Sequence, residues 1–140
     1  MTSTTSSNAP TALIVGGSSG IGLATAHRLL LANVNLIIVG SSAEKLSAAN
    51  DLLAKAALTV KNKPSVQTWQ YNLNNDACCK KLVARVAELD DSVDLRYLVN
   101  AAGVYKPKPF VDATEEDYEV CSQLSLSLLT RPYSLHPQHL

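Results

Sequence analysis

Apolar residues alternate along this chain between two textures. Residues 12–15 (ALIV), 36–39 (LIIV) and 97–100 (YLVN) are short, nearly unbroken apolar runs, the pattern of strands covered on both faces. Residues 65–71 (SVQTWQY) form a more polar run that carries Trp69, which suits the edge of a sheet. The segments between are longer, and their apolar positions recur at helical spacing. Leu46, Ala49, Leu53 and Ala56 share one face, and so do Cys79, Leu82, Val83 and Val86, which makes Cys79 a core residue rather than a reactive one. Helices are predicted to begin near Gly20, Ala43, Asp76 and Glu115. Strand and helix in alternation predict an α/β fold, a doubly wound parallel sheet with crossover helices, and placing the polar third strand at the edge gives the order 3-2-1-4. Asn33 falls where the first helix must turn back into a strand, a left-handed position that asparagine tolerates next best after glycine.

Composition narrows this picture. The 140 residues suit one domain, and a hydrophobic fraction of 46% supplies a core. Twelve basic and twelve acidic residues cancel without forming a block, which argues against a nucleic-acid footprint or a polybasic membrane anchor. Cys78, Cys79 and Cys121 lack the paired spacing of a zinc site or a disulfide scaffold, so a reducing cytoplasm is the expected setting. Residues 1–10 (MTSTTSSNAP) contain neither an apolar signal core nor transit-peptide arginines and read as a disordered, solvated tail. No run reaches membrane-spanning length. The closing TRPYSLHPQHL carries two prolines and no period, so residues 130–140 read as an irregular tail and 11–129 as the ordered unit.

Gly16, Gly20 and Gly22 are spaced Gly-x-x-x-Gly-x-Gly between the first strand and the first helix. In such a connection the first glycine makes the tight turn, the second lets backbone approach a pyrophosphate, and the third lets the helix pack closely on the sheet. The first N–H groups of the helix have no intrahelical acceptor and sit at the positive end of the macrodipole. An anion belongs there, with Ser18 and Ser19 as hydroxyl donors. The alternative is a glycine-rich turn without a ligand; a second strand ending about 20 residues on favours a dinucleotide.

VGGSSGIG (residues 15–22) resembles the Thr-Gly-x-x-x-Gly-x-Gly motif of the short-chain dehydrogenases/reductases, with Val15 in place of the threonine. LVNAAGV (residues 98–104) is similar to the family's Asn-Asn-Ala-Gly segment closing the fourth strand, and KPFVDATEEDYEV looks like its fourth-helix entry. The resemblance runs over about residues 11–129 and corresponds to the family's N-terminal, cofactor-binding half. It implies a truncated Rossmann-like fold that binds a nicotinamide dinucleotide. Gly16, Gly20 and Gly22 would lie under the pyrophosphate with Ser18, Ser19 and Ile21 beside them, Asn72 and Leu73 near the adenine, and Asn100, Ala101, Ala102 and Gly103 along the cofactor cleft. Three positions depart from the family pattern. Asn72 stands where an aspartate commonly faces the adenine, Ala101 replaces the second asparagine of the strand-end motif, and Ser125 falls at the helix asparagine of the catalytic tetrad.

Folds that take NAD place an Asp or Glu after the second strand to hold the ribose hydroxyls, and that carboxylate repels a 2′-phosphate. Here the strand runs on as LIIVGSSAEKL and the position holds Ser41. NADP is therefore expected over NAD, with Ser41, Ser42 and Lys45 as donors, although the arginine usual in NADP-binding relatives is absent. Ser41 with Glu44 three residues later also reads as a capping box for the second helix. Both roles are compatible, because a cap hydroxyl already lies near an anion site.

Hydride exchange with a carbonyl or alcohol also needs a proton donor. In the family resembled, this is a tyrosine assisted by a lysine four residues later on the same helix face, with a serine polarising the carbonyl. Four places after Tyr71, Tyr97, Tyr105, Tyr118 and Tyr133 stand Asn75, Ala101, Pro109, Ser122 and Pro137. Tyr105 with Lys106 and Lys108 lies among prolines that preclude a helix. His27 reads as packing or surface, and His136 with His139 lacks a third ligand, so neither a catalytic residue nor a metal site is assigned. Relatives of about 250 residues carry the Tyr-Lys pair beyond the point where this chain turns to TRPYSLHPQHL. The expectation is an NADP-preferring oxidoreductase, acting on a small carbonyl or alcohol in its full-length form and cut short here by a frameshift or gene-model error. A non-catalytic dinucleotide-binding or interaction module is the alternative. In either case the fourth strand offers an open apolar edge, and self-association through it is expected.

Overall fold

The apolar runs pair into one parallel sheet. The computed structural model describes residues 9–103 and 109–119. In it β1 (Thr11–Val15), β2 (Asn35–Gly40), β3 (Val66–Gln70) and β4 (Leu95–Asn100) lie in the order β3-β2-β1-β4. Helices α1 (Gly20–Leu31), α2 (Ala43–Ala57) and α3 (Asp76–Ala87) make the crossovers. This is the doubly wound, Rossmann-like arrangement expected from the sequence, with the expected strand order.

Successive residues of a strand face opposite sides, so the sheet divides the core in two. Ala12, Ile14, Leu36 and Ile38 pack with Ala26 and Leu30 of α1 and with Leu46 and Leu53 of α2. Leu13, Val15, Ile37 and Val39 pack on the other face with Trp69 and with Cys79 and Leu82 of α3. Right-handed crossovers produce this division. The chain steps outward from β1 to β3 with its helices on one face, then returns past β1 to β4 with α3 on the other. The winding reverses between β1 and β4, and a crevice opens there at the carboxyl ends of the strands.

Cys79 is buried with its Sγ 3.4 Å from the Leu73 carbonyl, in the core as its spacing indicates. The inward stripe of α2 is Leu46, Ala49, Leu53 and Ala57, with Ala56 only partly buried beside it. Trp69 is covered although β3 is an edge strand, because the Arg85 guanidinium of α3 sits 4.1 Å from the centre of its ring. Ala9 and Pro10 are tied to the start of the sheet: Asn35 donates from Nδ2 to the Ala9 carbonyl at 3.1 Å and from its backbone N–H to the Pro10 carbonyl at 2.8 Å. The expected tails otherwise fall on residues 1–8 and 130–140, outside the described residues.

β4 departs from the covered strand that its apolar run suggests. Leu95, Tyr97 and Leu98 are 37%, 41% and 47% exposed, because β4 pairs only with β1 among the described residues. Beyond it, residues 115–119 are helical. They open on a reciprocal cap in which Thr114 Oγ1 donates to Asp117 Oδ2 at 2.6 Å and Asp117 N–H donates back to Thr114 Oγ1 at 3.4 Å.

Asn33 takes the left-handed position with φ 65°. Its N–H donates to the Leu30 carbonyl at 2.9 Å and the Val34 N–H to the Leu29 carbonyl at 3.1 Å, the paired bonds of a Schellman turn. Its Oδ1, however, is buried without a hydrogen-bond partner among the described residues. Glycine at this position removes both the strain and the orphan oxygen, so Asn33→Gly is expected to raise stability by about 1 kcal/mol. A urea midpoint below that of the native chain would refute this account.

Candidate functional site

The turn from β1 into α1 is built by close approach. Gly16 has φ 76°, and a Cβ on it would stand 2.6 Å from the Ala102 nitrogen and 2.7 Å from the Ala101 carbonyl carbon. Only glycine lets the exit of β1 pass so near the exit of β4. The Gly16 N–H donates to the Val39 carbonyl and the Ala101 N–H to the Val15 carbonyl, both at 2.8 Å, so three strand ends are laced together. Gly22 fits under this turn, where a Cβ would lie 2.2 Å from the Gly16 carbonyl oxygen. The tight contact is between helix and glycine turn, not between helix and sheet as the motif suggested. Gly20, at φ 55°, is different: a Cβ there meets nothing within 4 Å, so its backbone borders open space.

α2 and α3 satisfy their own first turns. Ser42 Oγ accepts from the Lys45 N–H at 3.3 Å, Asn75 Oδ1 accepts from the Ala77 N–H at 2.8 Å, and Glu44 and Asp76 lie where an acid complements the helix dipole. α1 does neither. Its N-cap Ser19 makes no side-chain cap bond and its first turn holds no acidic residue, which leaves donors and partial positive charge facing outward.

In front of them lies a cleft of about 410 Å³. Gly16, Ser18, Ser19, Gly20 and Ile21 line it from the glycine turn, Ser41 and Ser42 from the end of β2, Asn72 and Leu73 from the end of β3, and Ala101, Ala102 and Gly103 from the end of β4. Two residues of the expected set stand behind it. Gly22 lies under the turn, and Asn100 braces the exit of β4, its Oδ1 accepting from the Ala102 N–H at 3.2 Å. Asn72 likewise holds its own loop, accepting from the Asn74 N–H at 3.2 Å. The lining also includes Gly40, Lys45, Tyr71 and Asn74. Lys45 stands out in the sequence as a phosphate donor. The other three adjoin the ends of β2 and β3 and could have been found from the rule that every strand's carboxyl end opens on the same crevice.

The capping box expected of Ser41 and Glu44 does not form. β2 continues through Gly40, which pairs with Gln70, and Gln70 Nε2 donates to the Ser41 carbonyl at 3.1 Å. The helix starts at Ala43, as expected, with Ser42 in place of Ser41 as its cap. Tyr105, Cys121, Ser125, His136 and His139 lie outside the described residues. Among the described residues no group of His, Cys, Asp and Glu could hold a metal ion, and no helix is long and apolar enough to cross a membrane.

The sequence model of the short chain dehydrogenase family matches residues 10–129, spanning both the glycine turn and the end of β4. The chain belongs to that family. As a short-chain dehydrogenase family member it is 37% identical over 117 residues to the 3-oxoacyl-[acyl-carrier-protein] reductase of Rickettsia bellii, and 32% identical over 108 residues to the very-long-chain 3-oxoacyl-CoA reductase of Coccidioides immitis. Those matches take in 83% and 76% of this chain but only 42% and 29% of the relatives. Among solved structures it resembles a short-chain dehydrogenase from Sphingobium yanoikuyae in complex with NADPH, at 30% identity and a TM-score of 0.74 over 89% of this chain and 46% of that one. The chain thus spans less than half the length of these proteins and corresponds to the family's N-terminal half.

The contact between Gly22 and Gly16 is backbone on one side and has no flexible end to yield. Gly22→Ala is expected to cost about 3 kcal/mol, the upper part of the overpacking range, in chemical unfolding. A loss below about 1 kcal/mol would contradict the packing described.

Proposed function

We propose that the chain is the dinucleotide-binding half of a short-chain oxidoreductase that exchanges hydride between NADP(H) and a carbonyl or alcohol substrate. The observation that carries this reading is the uncapped, acid-free N-terminus of α1, set behind Gly16 and Gly20 and opening on a cleft that reaches Ser41, Ser42 and Lys45. A pyrophosphate fits the donor set there, namely the first N–H groups of α1 and the hydroxyls of Ser18 and Ser19. Asn72 and Leu73 border the cleft where an adenine would lie, and Ala101 to Gly103 where a nicotinamide would be presented. When bound, the dinucleotide supplies the hydride; the chain's own residues bind and orient it. The names of the relatives support carbonyl reduction, since the Rickettsia and Coccidioides proteins are 3-oxoacyl reductases.

The choice of NADP rests on charge. No carboxylate stands at the end of β2, where Ser41 takes its place. Lys45 occupies the first turn of α2, where a cation is disfavoured by the helix dipole by a few tenths of a kcal/mol, roughly. A phosphate beside it offsets that cost, and the Sphingobium protein was solved with NADPH. The proton step is assigned to no residue of this chain, because no tyrosine has a lysine four places on. In this reading the activity belongs to a longer product. The exposed Tyr97 and Leu98 of β4 favour a second reading, a binding module that docks a partner or a second copy along this strand.

Titration of the chain is expected to show NADPH binding at least about tenfold tighter than NADH, and Ser41→Asp should reverse the order. Gly20→Asn, which keeps a left-handed backbone but places a side chain in the cleft, should weaken both by more than about tenfold while leaving the unfolding midpoint nearly unchanged. Equal affinities would refute the NADP assignment, and absence of binding would refute the dinucleotide reading. Turnover distinguishes the remaining two. Concentration-dependent dimers in sedimentation, with NADPH bound but no carbonyl reduced by the longer product either, would establish the binding module instead.

A further inference from the structure

We propose that Gln70, on the edge strand β3, is a positioning residue for cofactor choice: its amide holds the Ser41 turn so that the Ser41 and Ser42 hydroxyls and the Lys45 ammonium serve one phosphate. The inference rests on the NADP reading of the cleft given above. Gln70 pairs in register with Gly40, the last residue of β2, and the Tyr71 N–H donates to the Gly40 carbonyl at 2.9 Å as the final backbone rung of that ladder. Beyond this rung the strands have no further main-chain bond to offer. The Gln70 side chain adds one, Nε2 to the Ser41 carbonyl at 3.1 Å, across 29 positions of sequence.

That bond decides where β2 stops and α2 starts. With the Ser41 carbonyl drawn toward β3, Ser41 stays out of the helix and the cap passes to Ser42, whose Oγ accepts from the Lys45 N–H. The phase of α2, and with it the direction in which Lys45 leaves the helix, is fixed by the buried Leu46, Ala49 and Leu53, so the Gln70 bond sets where the Ser41 and Ser42 hydroxyls stand relative to Lys45. Ser41, Ser42 and Lys45 all line the cleft, whereas Gln70 does not. Gln70 therefore acts through Ser41 and not by touching the ligand. Were the bond absent, the Ser41–Glu44 box would compete to start the helix one residue earlier, drawing Ser41 into the cap and the Ser41 and Ser42 hydroxyls out of line with Lys45.

The test is the ratio of affinities in the full chain, because a loss of general stability weakens both cofactors together. Gln70→Met, which keeps the length but cannot donate, is expected to lower NADPH affinity about three- to tenfold, the span of one neutral hydrogen bond, and NADH affinity by less than about twofold. Gln70→Glu, equally unable to donate at neutral pH, should lower the NADPH preference at least as much. Thr68→Val, exposed two residues earlier on the same strand, should leave the ratio unchanged. An unaltered ratio in both Gln70 variants overturns the inference while leaving the NADP reading intact. Native chain that does not distinguish NADPH from NADH overturns that reading, and this inference with it.

Discussion

The approach of two strand exits at Gly16 is the constraint on which the rest depends. β1 and β4 are in register up to Val15 and Asn100, and the backbone after each turns across the other with no room for a Cβ. A side chain at 16 would force the exits apart, open the Ala101 to Val15 bond, and move the carbonyl under which Gly22 fits. α1 would then lose its seat, and its N-terminus its aim into the cleft. Two glycines six residues apart thus define one joint, in which each is needed because the other is there. The parallel sheet supplies the switch point, and the joint makes the point narrow enough to act as a site.

Much of this was legible in the sequence, and the parts that were not have physical reasons. The strand order followed from one polar, Trp69-bearing run among apolar ones, and the sheet's two-sided core from runs with no alternation. Asn33 was readable because few residues accept a left-handed helix exit. The exposure of β4 was not readable, since an apolar run states what a strand can bury and not what lies beside it. The start of α2 at Ala43 was legible, but its cap was misread by one residue for a similar reason. Ser41 and Ser42 are both good caps, the Ser-x-x-Glu spacing favours the first, and the choice falls to Gln70, a contact made in three dimensions.

The site is also where local rules lapse. The other described α-helices are capped and carry an acid in the first turn, while α1 is bare and α2 carries Lys45 close behind its cap. Such lapses cost a few tenths to about 1 kcal/mol each, and all of them face one cleft. Asn72 and Asn100 are the contrary case. Both are part of the motif-derived set, yet each has an oxygen engaged in bracing its own loop, which fixes the backbone at the ends of β3 and β4.

This division separates binding from proton transfer. Every donor proposed for the dinucleotide, from Gly16 to Gly103, is positioned by strand ends and helix starts that lie within the described residues. In the proposed reaction the proton step would fall to a tyrosine with a lysine four places on, and no tyrosine of this sequence has one. In the proposed reading the cleft offers donors for the carrier and no proton donor for the reaction. The exposed β4 has two unlike edges: its inner edge, paired with β1, leads to the cleft, and its outer edge, like that of β3, has no strand neighbour among the described residues. The proposed dinucleotide would lie at the exits of β1 and β4, bordered by the exposed Ile21, with Tyr97 and Leu98 uncovered further back along β4.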